Sequence, residues 1–374
     1  MAISTHHLFL TLLFAAIISP VVCNGDASDM QRRVLSSMDS KEEKDQHKLL
    51  FVFGDSLFDP GNNQYLSSSH QAPATSWPYG MNNHNHSTGR LSDGLIVPDF
   101  IALYARMNIP PPYLKPGANF TYGVNFASAG GAVLGVDNGF MNLKTQLSNF
   151  KKVVNQMVQK VGEAEAKKVL MRSVYLFSLG GNDYFGFNSK YPNATAIERR
   201  QYMHTVIANL TLGLKELYGI GLRKLAVQNV GPLGCYPTVK AMYPQLNGSC
   251  VGTFLTNANM HNKALSNTLK KMEGQLPGLK YAIFDYYHAL ADRIKNPTKY
   301  GFKVGQVACC GSGLYNAKSC GKKPFNLCSN PNEYVLFDGA HHTQRTNQQF
   351  AQLLWNGAPN VTGPYTVKQL FEFP

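Results

Sequence analysis

Residues 49–63 read LLFVFGDSLFDPGNN. An apolar run too short for a helix stops abruptly at Gly54-Asp55-Ser56, so a buried strand over residues 49–53 is expected to end in a turn that carries a serine. A serine at the carboxyl end of a strand stands at the edge of the sheet. There its hydroxyl can attack a substrate and its backbone N–H can help bind an oxyanion. The tripeptide alone is not diagnostic, because serine after aspartate is also an ordinary turn or helix cap.

Outward from this strand the same rhythm continues. Short apolar runs at residues 122–127, 173–179, 224–229 and 280–284 alternate with amphipathic stretches at 142–160, 196–218, 253–275 and 343–355. Strands alternating with helices describe βα units on a mostly parallel sheet, and one three-layer domain over residues 49–374 is the simplest arrangement. Several runs end in clusters of Gly, Asp, Asn or Ser, at the strand ends where open α/β sheets bind ligands. The Pro- and His-rich residues 70–116 are expected to form long surface loops, with His84-Asn85-His86 a solvated turn rather than a metal site.

Composition sets the class. The 374 residues are 44% hydrophobic and 15% charged, which is a chain able to bury a core. The net charge of +13 is spread without an aromatic-interleaved basic stripe. That argues against nucleic-acid binding and leaves weak association with acidic cell-wall polysaccharide as the most the charge implies. Residues 8–23, LFLTLLFAAIISPVVC, fit a signal peptide spanning 1–23, although no Lys or Arg precedes them. A polar, mobile leader is expected over 24–48, and no later run is long enough for a transmembrane helix.

Cysteine usage agrees with secretion. Of seven cysteines, Cys23 falls in the signal segment, and the remaining six suggest three disulfides. Loop length favours Cys235 with Cys250 and leaves Cys309, Cys310, Cys320 and Cys328 to pair locally. With no CxxC pair and no HExxH helix, a metal site is not expected. Six sequons, at Asn85, Asn119, Asn193, Asn209, Asn247 and Asn360, are candidate glycosylation sites; Asn296 is excluded by Pro297.

A serine nucleophile needs a base, normally a histidine oriented by a carboxylate. Among eleven histidines, His341 lies three residues after Asp338 in a turn before a helical pattern. Asp285 and His288 have the same spacing, and His342 is one residue away from His341, so spacing alone does not choose. The residues flanking His288 favour a structural histidine packed on a helix. Two further segments, YGVNFASAGGA (122–132) and SLGGNDY (178–184), carry glycine turns at strand ends and an asparagine amide suited to an oxyanion hole. Each is also readable as a plain tight turn. The G-x-S-x-G elbow of the α/β-hydrolases is absent.

Taken together, these segments resemble the plant GDSL esterase/lipases, a branch of the SGNH hydrolases. FGDSLFDPGNN, GVNFASAGGA, SLGGNDYF and FDGAHHTQ are similar to the four family blocks, and GRLSDGLIVPDFIA (89–102), NVGPLGCYP (229–237) and KYGFKVGQVACCGSG (299–313) are family-like between them. The resemblance implies a flavodoxin-like α/β/α fold with a five-stranded, mainly parallel sheet. It makes Ser56 the nucleophile, Asp338 and His341 its partners, and Ser56, Gly130 and Asn182 the oxyanion hole, with Gly131 the alternative to Gly130. The activity implied is cofactor-free hydrolysis of carboxylic esters through an acyl-enzyme, outside the cell in the apoplast or cell wall. Transfer of the acyl group to an alcohol, or a non-catalytic secreted binding role, are the competing readings. The resemblance does not choose among lipid, cutin-like, phenolic and acetylated-sugar esters. His342 and Gln344 depart from the Pro and Glu usual in the last block, which implies altered local geometry and substrate preference.

Overall fold

All five residues of the first strand, β1 (Leu50–Gly54), are buried, which is why the run carries no polar alternation: both its faces are covered. The computed structural model describes residues 48–66, 73–135 and 139–374, which fall in one compact unit ending at Pro374. The expected signal segment and nearly all of the leader lie outside the described residues. Lys48, the leader's last expected residue, reaches the carbonyls of Phe371 and Phe373.

The remaining strands are β2 (Gly123–Asn125), β3 (Val174–Ser178), β4 (Lys224–Gln228), β5 (Lys280–Phe284), the short pair β6 (Cys310–Gly311) and β7 (Asn326–Leu327), and β8 (Thr362–Pro364). The central sheet runs β2-β1-β3-β4-β5-β8, with the first five strands parallel and β8 antiparallel to β5. The expected five strands are thus joined by a sixth. β8 reads Thr-Gly-Pro, a sequence without strand propensity, and it pairs only at the sheet's edge, where proline is tolerated. From β1 the chain winds outward to β2 on one side and to β3, β4 and β5 on the other. The switch point therefore falls between β1 and β3, where sheets of this order bind their ligands. Both the serine turn and the SLGGNDY segment lie there.

The helices are α1 (Val97–Tyr104), α2 (Leu143–Val161), α3 (Glu163–Arg172), α4 (Gly181–Lys190), α5 (Ala196–Ile220), α6 (Pro237–Met242), α7 (Gly252–Gln275), α8 (Tyr286–Lys295), α9 (Gln344–Asn356) and α10 (Val367–Glu372). The four helices expected from periodicity are α2, α5, α7 and α9. Three are entered through a polar cap: the Asn142 side chain accepts from the Thr145 N–H at 3.0 Å, Thr195 and Glu198 cap α5 reciprocally, and the Thr343 side chain accepts from the Thr346 N–H, whereas α7 follows Val251 without a side-chain cap. α2, α5 and α7 pack in one layer, and α1, α9 and α10 in the other, giving the three-layer α/β/α arrangement. Between them Phe53 stacks on Phe177 (centroids 4.6 Å apart) and Phe126 (5.2 Å).

Residues 70–116 are not simply surface loops. They contribute α1, the buried Tyr79 and Asp93, and a bidentate pair in which Arg90 donates to both oxygens of the buried Asp99, the residue that also caps α1. The His84-Asn85-His86 turn is exposed, as expected. Three disulfides close local loops: Cys235–Cys250, Cys309–Cys328 and Cys310–Cys320. The last two tie down the segment that carries residues 317–320 to the cavity beside Ser56. Among the described residues no helix is long and apolar enough to cross a membrane.

Candidate active site

The turn after β1 is built by Asp55 and Asp59 rather than by the serine it presents. The Asp55 N–H donates to the Ser178 carbonyl at the end of β3 (3.0 Å), and its Oδ1 accepts the Leu57 N–H (3.0 Å). Asp59, fully buried, accepts the N–H groups of Gly61 and Asn62 with one oxygen and that of Ala129 with the other, at 2.6–2.9 Å. Asn62 and Asn63 add side-chain bonds to the carbonyls of Asn125, Ala127 and Ala129. The DPGNN residues therefore fasten the serine turn to the glycine turn after β2. Asp183 does the same from α4, accepting the N–H groups of Val133 and Leu134 at 2.9 and 2.8 Å.

These ties bring distant segments to one point. His341 Nε2 lies 2.8 Å from Ser56 Oγ, and its Nδ1 lies 2.7 and 2.9 Å from the two oxygens of Asp338. Asp338 Oδ1 also accepts the N–H groups of Ala340 and His341, both at 2.9 Å. Burial works against charge on the His341 imidazole, but the neighbouring Asp338 carboxylate outweighs it, with help from Asp55, and the pKa is raised above its ordinary value. Burial likewise opposes ionisation of Asp338. The His341 imidazole, the Ala340 N–H and the Tyr79 hydroxyl overcome it, holding the carboxyl below its usual range.

Tyr79 was not legible in the sequence. Its hydroxyl donates to Asp338 Oδ2 at 2.8 Å, and its buried ring meets Phe337 edge-on. No spacing signals a contact between residues 79 and 338.

Donors converge on the other side of Ser56. Neither the Ser56 N–H nor the Gly130 N–H has a hydrogen-bond partner among the described residues, whereas the Gly131 N–H is taken by the Ser128 carbonyl at 2.8 Å. Gly130 has φ +84°, a left-handed conformation that favours glycine. The Asn182 side-chain amide gives one hydrogen to the Gly131 carbonyl (2.8 Å) and keeps a second. Ser56, Gly130, Asn182 and His341 all line one cavity of about 740 Å³, within the usual size for a small-molecule site, whose apolar wall includes Leu57, Leu179, Phe185, Val230 and Leu233.

The rival residues lie elsewhere. His288 is bound by Asp285 at 2.7 Å, but its side chain is 74% exposed, so it is not the packed histidine the flanking residues suggested. His342 is buried, and its Nε2 meets the Tyr286 hydroxyl at 2.7 Å. Gln344 accepts the Leu95 N–H at 2.7 Å and so joins α9 to the loop before α1. Among the described residues no group of three His, Cys, Asp or Glu side chains is placed to hold a metal ion.

Residues 50–354 match the family model described as GDSL-like lipase/acylhydrolase, and the chain belongs to that family of carboxylic ester hydrolases. It is similar to GDSL esterase/lipase 1 of Arabidopsis thaliana, with 42% identity over 90% of this chain and 94% of the relative. It is also similar, at 37% identity over 87% of this chain and 75% of the relative, to an Arabidopsis protein named inactive GDSL esterase/lipase-like protein 25. The crystal structure of the lipase Lip_vut3 from a goat rumen metagenome aligns with 82% of this chain and 94% of its own at 12% identity and a TM-score of 0.37.

Proposed function

We propose that this esterase works through Ser56 as nucleophile, His341 as general base and Asp338 as its orienter. Ser56 Oγ attacks the ester carbonyl while His341 Nε2 takes its proton. The oxyanion that forms is stabilised by the N–H groups of Ser56 and Gly130 and by the Asn182 amide. Collapse of the intermediate returns the proton from His341 to the leaving alcohol, and water then releases the acid from the acyl-enzyme by the same route. The observation that carries the reading is the 2.8 Å contact between His341 Nε2 and Ser56 Oγ, with Nδ1 held by Asp338. One relative is named inactive, so kinship alone does not assign this chemistry.

We also infer that the protein is secreted as one domain over residues 49–374 with 1–23 removed. Three disulfides and the exposure of all six sequon asparagines support this. Ser56→Ala is expected to bring hydrolysis of short p-nitrophenyl esters to background in a stopped assay; activity retained in that variant removes Ser56 from the mechanism.

A further inference from the structure

The segment 317–322 lines the cavity beside Ser56 and has no part in the proton transfers above. It is fastened to the histidine turn. The N–H groups of Cys309 and Cys310 donate to the carbonyls of Leu336 and Phe337, at 3.0 and 2.7 Å, and the next residue is Asp338. From that rung the Cys310–Cys320 disulfide reaches the middle of the segment. At Gly339 a Cβ would fall 2.2 Å from the Ala317 carbonyl oxygen, so only glycine lets the segment and the Asp338–His341 turn close on each other. Ser312 and Lys318 exchange backbone hydrogen bonds at 2.6 and 3.2 Å, and the Lys322 N–H is held by the Ser319 carbonyl at 3.0 Å.

This attachment decides which part of a substrate meets the segment. During attack the ester's carbonyl oxygen turns to the donors on Ser56, Gly130 and Asn182, whereas the leaving alcohol oxygen must come within reach of His341 Nε2 to receive its proton. The alcohol part therefore departs past the His341 turn, against which 317–322 is packed.

Two residues of the segment, Lys318 and Lys322, bring ammonium groups to this side, and both are exposed at the cavity mouth. Neither ammonium has a hydrogen-bond or ion-pair partner among the described residues, whereas the exposed Lys299 and Lys303 are paired with Asp292 and Glu333 at 2.8 and 2.7 Å. The carboxylates lining the cavity do not answer them. Asp55 and Asp338 are 5% and 6% exposed; burial pushes Asp55 up to about 7, and Asp338 is engaged by His341 and Tyr79. A cleft rimmed by charge of one sign concentrates ligands of the other.

We propose that Lys318 and Lys322 determine specificity by selecting esters whose alcohol part carries an anionic group, a phosphate or a carboxylate. The proposal rests on the Ser56–His341 reading, because the alcohol side is defined by the proton that His341 returns.

The test compares hexanoyl esters, kept monomeric, that differ in the alcohol: glycerol phosphate, glycerate and glycerol form one set, and choline with its uncharged carbon isostere the other. At low ionic strength at least one anionic ester is expected to exceed the glycerol ester in kcat/KM by about 5-fold or more, the worth of one or two exposed ion pairs, and the choline ester to fall below its isostere. A gain confined to one anion names the class; gains for both show that charge itself is read. The preference should shrink towards one as salt is raised to about 0.5 M, where the Debye length is about 4 Å. Lys318→Glu combined with Lys322→Glu should reverse it, so that choline is preferred to its isostere and glycerol to the anions. Merely structural lysines would change every ester alike, and the salt series on the wild-type enzyme is independent of how well the variant folds. Ratios near one in the wild type, or an anionic preference kept at high salt or in the double variant, overturn the lysine rim and leave Ser56 in place. Hydrolysis of none of the esters, or of all of them by Ser56→Ala, overturns the Ser56 reading and the rim with it.

Discussion

Asp338–His341 and Asp285–His288 are the same local object. Each is an Asp-x-x-His turn; in each the first carboxylate accepts the histidine N–H and grips Nδ1 at 2.7 Å. Their surroundings differ. The His341 and Asp338 side chains are 15% and 9% exposed, and Nε2 faces Ser56; His288 and Asp285 are 74% and 34% exposed, and Asp285 serves as the cap of α8. A carboxylate–imidazole pair is thus a structural habit of a strand-to-helix turn. Burial and the position of the turn in the sheet set the two apart: the first stands across from the switch point between β1 and β3 with its imidazole on Ser56, the second beyond the end of β5.

The sharpest way to break this comparison is to neutralise each aspartate in turn. Asp338→Asn should cost roughly 10³–10⁴-fold in kcat, because an amide favours the wrong imidazole tautomer and cannot stabilise the imidazolium. Its pH profile should move as well. His341 must be neutral to accept a proton, and its pKa is held above the ordinary value, so wild-type kcat/KM should fall as pH drops through a midpoint above about 6.5. With the carboxylate gone, burial is left to lower the pKa, and that limb should shift to lower pH.

Next in size is the phenol behind Asp338. Tyr79→Phe keeps the ring against Phe337 but removes a hydrogen bond to a charged group, and a loss of about 10-fold in kcat/KM with little change in KM is expected. The Asp338 charge would then act more fully on His341, so the acid limb of the pH profile should rise. A purely structural role for Tyr79 would lower the melting temperature without moving that limb. The smallest effect is expected at the exposed pair. Asp285→Ala removes a helix cap, worth about 1 kcal/mol in denaturant unfolding, and should leave kcat/KM within about twofold of wild type.

How much of this could be read beforehand depended on the range of the interaction. β1, β3 and β4 are runs buried on both faces, β5 is buried along most of its length, and α2, α5, α7 and α9 carry a helical period, so each announces itself locally. α4 was hidden because its first residues, Gly181-Asn182, read as a turn, although the helix begins on them. β8 has no signal of its own and exists through its pairing to β5. α1 lay in a proline-rich stretch whose Pro98 and Asp99 are a helix start, since proline fits the first turn and the carboxylate caps it.

Within the site, the local pairs were visible as spacing, yet spacing could not rank His341 above His288; the resemblance did. Tyr79 and Asp338 are 259 residues apart, and only the fold joins them. The DPGNN and GGND segments adjoin or contain the residues read as chemistry. Asp59 and Asp183 hold loops instead, and pattern alone does not separate a residue that reacts from one that positions.

The central claim is that Ser56 is activated by His341. It is tested most directly by labelling the folded protein with a fluorophosphonate and mapping the adduct by mass spectrometry. The account predicts stoichiometric modification of Ser56 in the wild type and little or none in the His341→Ala variant. An adduct on another residue, no adduct on the folded wild-type protein, or equally fast labelling of Ser56 without His341 would contradict it.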